Sequence, residues 1–222
     1  NPWLKVELLV GNYNTVKIKD IFTILEPYFN IIYTKDEPVL QEWATTVTSP
    51  EFVNNASYLN KTLASFYGSQ PYNRHCIIYL LLSTEKKNGG TAGTINDHEV
   101  TLEVSRTPIK LKKHTINILW HELIHLHFRN YVLYPLLKEY TDSNWEIMSK
   151  IDELIASSLL PNGLLAQHTL AIIDELGTDR KFNTRIDSDE IIQVQKLIYP
   201  YLQEKKAIDI KLVQKLCTIY GK

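Results

Sequence analysis

The chain is poor in several features that would each mark a particular class of protein. It has 222 residues and only two cysteines. Cys76 and Cys217 stand far apart in apolar surroundings, which is typical of buried thiols rather than of a disulfide framework. The longest apolar run, 76–82, has the length of a strand and falls well short of the roughly 20 residues that cross a bilayer. The sequence therefore predicts a protein without a membrane span.

The sequence also lacks an excess of charge of either sign. Its 24 Lys and Arg residues balance 25 Asp and Glu residues, which disfavours nucleic acid or an anionic surface as a partner. It contains no Gly-rich phosphate loop and no G-x-S-x-G nucleophile motif, so nucleotide and serine-hydrolase chemistry lack support. A chain that starts at Asn1 rather than Met is compatible with secretion after removal of an upstream signal peptide. The compartment and the oligomeric state stay open.

What the sequence does contain is a His-Glu-x-x-His motif at residues 121–125. Residues four apart lie one above the other on a helix, so the imidazoles of His121 and His125 can reach one metal ion. Glu122 projects beside them, where a carboxylate can act as the general base on a zinc-activated water. Apolar residues recur at helical spacing around the motif, and Thr107-Pro108 resembles a helix start. The motif thus predicts a catalytic zinc site on a helix spanning about 109–130.

The motif also has a simpler interpretation, in which the histidines are hydrogen-bonded residues of an amphipathic helix and Glu122 forms a surface ion pair. That interpretation leaves the placement of Glu122 unexplained. His127 follows His125 by two residues and points about 200° around the helix, so it is predicted to pack rather than to bind the same metal.

The hydrophobic patterns predict an α+β fold with a small mixed sheet in the N-terminal half and a helical C-terminal half. Strands are expected at 4–10, 31–33, 76–83 and 98–105. Other helices are expected at 18–25, at 50–67 with Gly68 as the stop, and from Asp187 with an interruption near Pro200. We expect an N-terminal subdomain, 1–108, and a helical subdomain, 109–222, that together form one catalytic unit.

A catalytic zinc ion usually has three protein ligands, so the motif requires a third donor. The extended H-E-x-x-H-x-x-G-x-x-H motif is absent, because Phe128 and Tyr131 occupy the glycine and histidine positions. Glu146 and Glu153 lie seven apart on one predicted helix and compete for the role. Ser143 and Glu146 form a capping-box pattern that gives Glu146 a structural role, whereas Glu153 lies in a largely apolar stretch where a charge needs a partner. This argument favours Glu153 and leaves Glu146 as the alternative.

A His-Glu-x-x-His motif followed by a glutamate on a second helix resembles the gluzincin metallopeptidases, over about residues 95–160. The resemblance implies a zincin-like fold, zinc bound by His121, His125 and Glu153, Glu122 as the catalytic base, and a peptide or protein substrate. It also implies that the strand at 98–105 forms a cleft edge to which a peptide can add. Ser157, four residues after Glu153, stands where such enzymes carry an Asp and could hydrogen-bond a ligand histidine. The alternative function is a non-catalytic gluzincin-like domain that binds a peptide or protein.

Overall fold

A computed structural model of the chain describes residues 12–82, 92–96, 98–106, 112–166 and 188–220. The contacts between residues divide the chain after Gln41 into two compact units. The predicted strand at 4–10 lies outside the described residues. The boundary expected between residues 108 and 109 stays a prediction.

The first unit contains most of helix α1, which spans Asn12–Val47 and includes two prolines. The helix predicted at 18–25 is part of α1, but the strand predicted at 31–33 is wrong because those residues are helical. A short apolar run fits a strand or a helix equally well, and here helical contacts form instead. Phe29 and Tyr33 stack with their rings 5.8 Å apart, and the Thr34 hydroxyl donates to the Asn30 carbonyl one turn earlier.

The second unit contains a three-stranded mixed sheet formed by β1 (Ile77–Leu82), β2 (Ala92–Asn96) and β3 (Glu99–Val104). The spatial order is β1-β3-β2, with β1 parallel and β2 antiparallel to β3. The strands predicted at 76–83 and 98–105 are therefore confirmed. The expectation that the latter offers an open edge to a peptide is wrong, because β3 is the central strand and its main chain is paired on both sides.

The other helices among the described residues include those predicted at 50–67, around the motif and from about Asp187. They are α2 (Pro50–Tyr67), α3 (Lys112–Leu126), α4 (Leu133–Tyr140), α5 (Trp145–Leu159), α6 (Ser188–Gln203) and α7 (Ile210–Tyr220). Gly68 ends α2 with a left-handed φ of 61°, as its position after the apolar run predicts. The motif helix α3 gives way to a 3-10 turn at Phe128–Asn130, and Thr107-Pro108 lies outside the described residues. The interruption expected near Pro200 is wrong, since α6 continues through it.

The core of the second unit lies between the sheet and the helices, and it fixes the position of α3. Val100, Leu102 and Val104 alternate along β3 and are fully buried, while α3 contributes the buried Leu119 and Ile124. Helix α5 packs on another side of α3 and is itself buried over most of its last three turns. The result is a helix-rich α+β protein with a small sheet. Among its described helices, none combines the length and apolar composition needed to cross a membrane.

Candidate metal centre

His121 and His125 lie one turn apart on α3 with both side chains directed at α5. Their ring centroids are 4.7 Å apart and the ring planes are nearly perpendicular, at 78°. The two Nε2 atoms approach to 3.0 Å. His121 is almost fully buried, and only 13% of the His125 side chain is exposed. The helical spacing of the motif thus brings the two nitrogens together at one point, as the sequence predicts.

The His121 ring is oriented by the main chain at the end of α5. Its Nδ1–H donates to the carbonyl oxygen of Leu160 at 3.0 Å, so Nε2 is the nitrogen that faces His125. Asn117, one turn earlier on α3, donates from Nδ2 to the carbonyl of Pro161 at 2.6 Å. The turn that follows α5 is therefore joined to α3 at two positions, and one of them sets the tautomer of His121.

The His125 ring is oriented by a side chain instead. Its Nδ1–H donates to Oδ2 of Asp152 at 2.9 Å, and the Arg129 guanidinium donates to the same oxygen at 2.6 Å. Only 2% of the Asp152 side chain is exposed. A buried carboxylate thus fixes the orientation of the His125 imidazole.

Glu153 completes the cluster from the next position on α5. Its Oε1 lies 3.3 Å from Nε2 of His121, and its Oε2 lies 3.2 Å from Nε2 of His125. One ligand atom from each of the three residues lies within 4.8 Å of the others, and no second group of this kind occurs among the described residues. Ser157 donates to Oε1 of Glu153 at 2.9 Å, so the suggestion that Ser157 binds a ligand histidine is wrong.

Glu146 lies outside this cluster, and the residue that caps its helix is not the predicted one. The cap of α5 is Asn144, whose side chain accepts from the backbone N–H groups of Glu146 and Ile147 at 3.1 and 3.3 Å. Ser143 has a left-handed φ of 61°, whereas an N-cap needs an extended backbone. The predicted capping box is therefore wrong in its cap residue. Glu146 remains an exposed residue of the first turn, two turns from Glu153.

His127, the residue that follows α3, takes no part in the cluster, as predicted. Its Nε2 donates to the backbone carbonyl of Gln70 at 3.0 Å, and its ring contacts Tyr72 edge-on at 5.1 Å. His127 therefore connects the end of α3 to the segment after α2.

The electrostatics of the metal-free cluster follow from burial and from the hydrogen bonds. Burial disfavours a charged His125, but hydrogen bonds to Asp152 and Glu153 outweigh it and raise the pKa of His125 to about 10. Burial disfavours a charged Glu153 too, yet hydrogen bonds from the two histidines lower its pKa. Burial raises the pKa of Glu122, although the nearby histidines partly oppose the shift. The shifts of His125 and Glu153 share one cause, since the buried carboxylates favour positive charge on the imidazole of His125.

These donors fit a divalent metal ion. Zinc binds histidine nitrogen and carboxylate oxygen at about 2.0–2.2 Å, so neighbouring ligand atoms around a tetrahedral ion stand about 3.3 Å apart. The two Nε2 atoms are 3.0 Å apart, and each lies within 3.3 Å of a different oxygen of Glu153. His121, His125 and Glu153 could thus hold a metal ion.

Two groups at the site were not identified from the sequence. Arg129 lies four residues after His125, a spacing that places side chains together on a helix and could have suggested the contact. The Leu160 carbonyl leaves no signal in the sequence, because every residue carries one. Glu122 lies beside the cluster on α3, as the motif predicts, and is partly buried.

Comparison with known proteins yields no relative for this chain: no family model, no curated protein and no solved structure matches it. Functional inference therefore depends on the residues of the site.

Proposed function

We propose that the protein is a zinc-dependent peptidase of the gluzincin type with a zincin-like fold. His121, His125 and Glu153 are the proposed zinc ligands. The observation that carries the proposal is the convergence of their three donor atoms, with the Nδ1 atom of each histidine already engaged elsewhere. Two histidines and one glutamate form a known ligand set of catalytic zinc sites, in which a fourth position stays available.

Zinc, when bound, would supply Lewis-acid chemistry and lower the pKa of a coordinated water to about 7. The protein must then supply a group that takes up the proton of the water. Glu122 is suited to this role because it lies next to His121 and because burial raises the pKa of its carboxyl group. A general base with a raised pKa holds a proton more readily near neutral pH.

In the proposed reaction, the water oxygen forms a bond to the carbonyl carbon of a peptide group, and Glu122 accepts the proton released. The C–N bond then breaks, and Glu122 passes that proton to the leaving nitrogen. The products are a carboxylic acid and an amine, which ionise in solution to a carboxylate and an ammonium group, and Glu122 returns to its starting state. Each proton transfer needs only the short reach of one glutamate side chain from α3.

The experiment that tests this function compares wild type with Glu122→Gln, purified without a histidine tag. Glutamine has nearly the same shape but cannot accept the proton, so we expect unchanged zinc content and loss of peptide-library cleavage by at least 100-fold. Glu146→Gln, an exposed glutamate of α5, is the matched control and should cleave like wild type.

Cleavage by Glu122→Gln at the wild-type rate would contradict the role of Glu122. A wild-type protein that binds zinc but cleaves no peptide would instead favour the non-catalytic binding domain. Absence of stoichiometric zinc from the wild-type protein would contradict the metal site itself.

A further inference from the structure

We propose that Arg129 is a positioning residue of the metal centre, acting on His125 through Asp152. This inference rests on the proposed zinc site, but it does not depend on peptide hydrolysis. Arg129 belongs to the 3-10 turn after α3, whereas Asp152 belongs to α5. Their contact therefore joins α5, which carries Glu153, to the turn that directly follows the two histidines of α3.

The geometry makes one carboxylate oxygen the common acceptor of two donors. Oδ2 of Asp152 accepts from Arg129 at 2.6 Å and from Nδ1 of His125 at 2.9 Å. Asp152 and Glu153 are adjacent on α5, and they contact opposite nitrogens of the His125 ring. Asp152 holds Nδ1, and Glu153 lies 3.2 Å from Nε2. A shift of the Asp152 carboxylate would therefore turn Nε2 away from the proposed metal position.

Arg129 has a second contact besides the Asp152 carboxylate. Its guanidinium carbon lies 4.5 Å from the centre of the Tyr134 ring, a cation–π contact with α4. The preceding residue, Phe128, is fully buried and contacts the ring of Tyr67 at 6.2 Å. The turn is thus anchored in the core, and 24% of the Arg129 side chain is exposed.

Burial explains why Asp152 needs this partner. A carboxylate with 2% exposure has lost nearly all contact with solvent, and a single imidazole N–H compensates only part of that loss. The guanidinium supplies an opposite charge and a short hydrogen bond, so the carboxylate stays in the one orientation that His125 requires. Hydrogen-bond partners of ligand histidines typically contribute 10–100-fold to metal affinity. Arg129 does not bind the metal; it affects metal affinity through its hydrogen bond to Asp152, which in turn orients His125.

A double-mutant cycle on zinc affinity tests this inference. The variants are Arg129→Met, Asp152→Asn and the double variant, with zinc dissociation constants measured by chelator competition on the full chain. We expect Arg129→Met to weaken zinc binding about 10-fold or more. In the Asp152→Asn background the same substitution should have less than a 3-fold effect, because the charge on which Arg129 acts is already removed.

Two further variants separate positioning from general stability. Arg129→Lys keeps the charge but loses the planar geometry, so it should recover part of the zinc affinity and also serves if Arg129→Met does not fold. Lys150→Met breaks the Lys150–Glu190 ion pair, another contact of α5, and should leave zinc affinity unchanged. The visible spectrum of cobalt bound to Arg129→Met or Arg129→Lys should shift from that of wild type, since it reports ligand geometry directly.

Wild-type zinc affinity in Arg129→Met, or in Arg129→Lys where only that variant folds, would overturn the inference while leaving the zinc site intact. Independent, additive effects of the Arg129 and Asp152 substitutions would overturn it as well. Failure of the wild-type protein to bind zinc would instead overturn the proposed function on which it rests. Zinc binding without peptide cleavage would leave the role of Arg129 standing.

Discussion

His121 and His125 are one helical turn apart, yet different chemistry holds each ring in place. His121 donates to a backbone carbonyl in the turn after α5, and His125 donates to a buried carboxylate that is itself bound by a guanidinium. The first support depends on the path of the main chain. The second depends on the identity of two side chains. The two halves of the site should therefore respond to different kinds of substitution.

The supports of His121 and His125 differ in how strongly they depend on residue identity. Many residues could replace Leu160 without removing its carbonyl, provided that the turn keeps its shape. No other residue can replace Asp152 without changing the length or the charge of the acceptor. Substitutions that alter side-chain charge should thus affect the His125 half, and substitutions that alter backbone shape should affect the His121 half.

The largest effect is expected from Asp152→Ala, which removes the acceptor shared by Arg129 and His125. Loss of one partner from a buried ion pair leaves a poorly compensated charge, so the metal-free protein should lose about 3 kcal/mol of unfolding free energy. Urea unfolding of metal-free protein measures this loss. Glu146→Ala, an exposed position on the same helix, is the control and should change stability by less than about 0.5 kcal/mol. A loss as small as that of Glu146→Ala would contradict the proposed dependence of the His125 half of the site on the Asp152 side chain.

A smaller effect is expected from Gly163→Ala in the turn that supports His121. A Cβ atom at this position would collide with the backbone carbonyl of Ser158, so the turn would have to move. We expect a loss of about 2 kcal/mol in urea unfolding and weaker zinc binding, because the Leu160 carbonyl would shift with the turn. Asn162→Ala, at the exposed neighbouring position, provides the control. Wild-type stability and zinc affinity in Gly163→Ala would show that this turn is not a rigid support.

The site was more predictable from the sequence than the N-terminal part of the fold. Helical spacing alone places His121 and His125 together, and the apolar surroundings of Glu153 distinguish it from Glu146. The first inference succeeds because it depends on short-range geometry within one helix, whereas the packing of α5 against α3 is what brings Glu153 to the histidines. The same reasoning fails for residues 31–33, since an apolar run of three residues fits both a strand and a helix.

Long-range pairing accounts for the other differences. Alternation along residues 98–105 reveals a strand, but it cannot show that β3 is paired on both sides, because pairing depends on β1 and β2. The cap of α5 is Asn144, one residue after the predicted Ser143. Both are good capping residues, and only the backbone conformation distinguishes them. Arg129 and the Leu160 carbonyl join elements that are distant in the chain. Their roles therefore became visible only in three dimensions.

We propose that His121, His125 and Glu153 hold one zinc ion. Zinc content per chain, measured in tag-free wild type, Glu153→Ala and Glu146→Ala, tests this ligand set. We expect about one zinc in wild type and in Glu146→Ala, and almost none in Glu153→Ala, because a site with two histidines alone binds zinc weakly. Full zinc content in Glu153→Ala, or loss of zinc in Glu146→Ala, would contradict the assigned ligands.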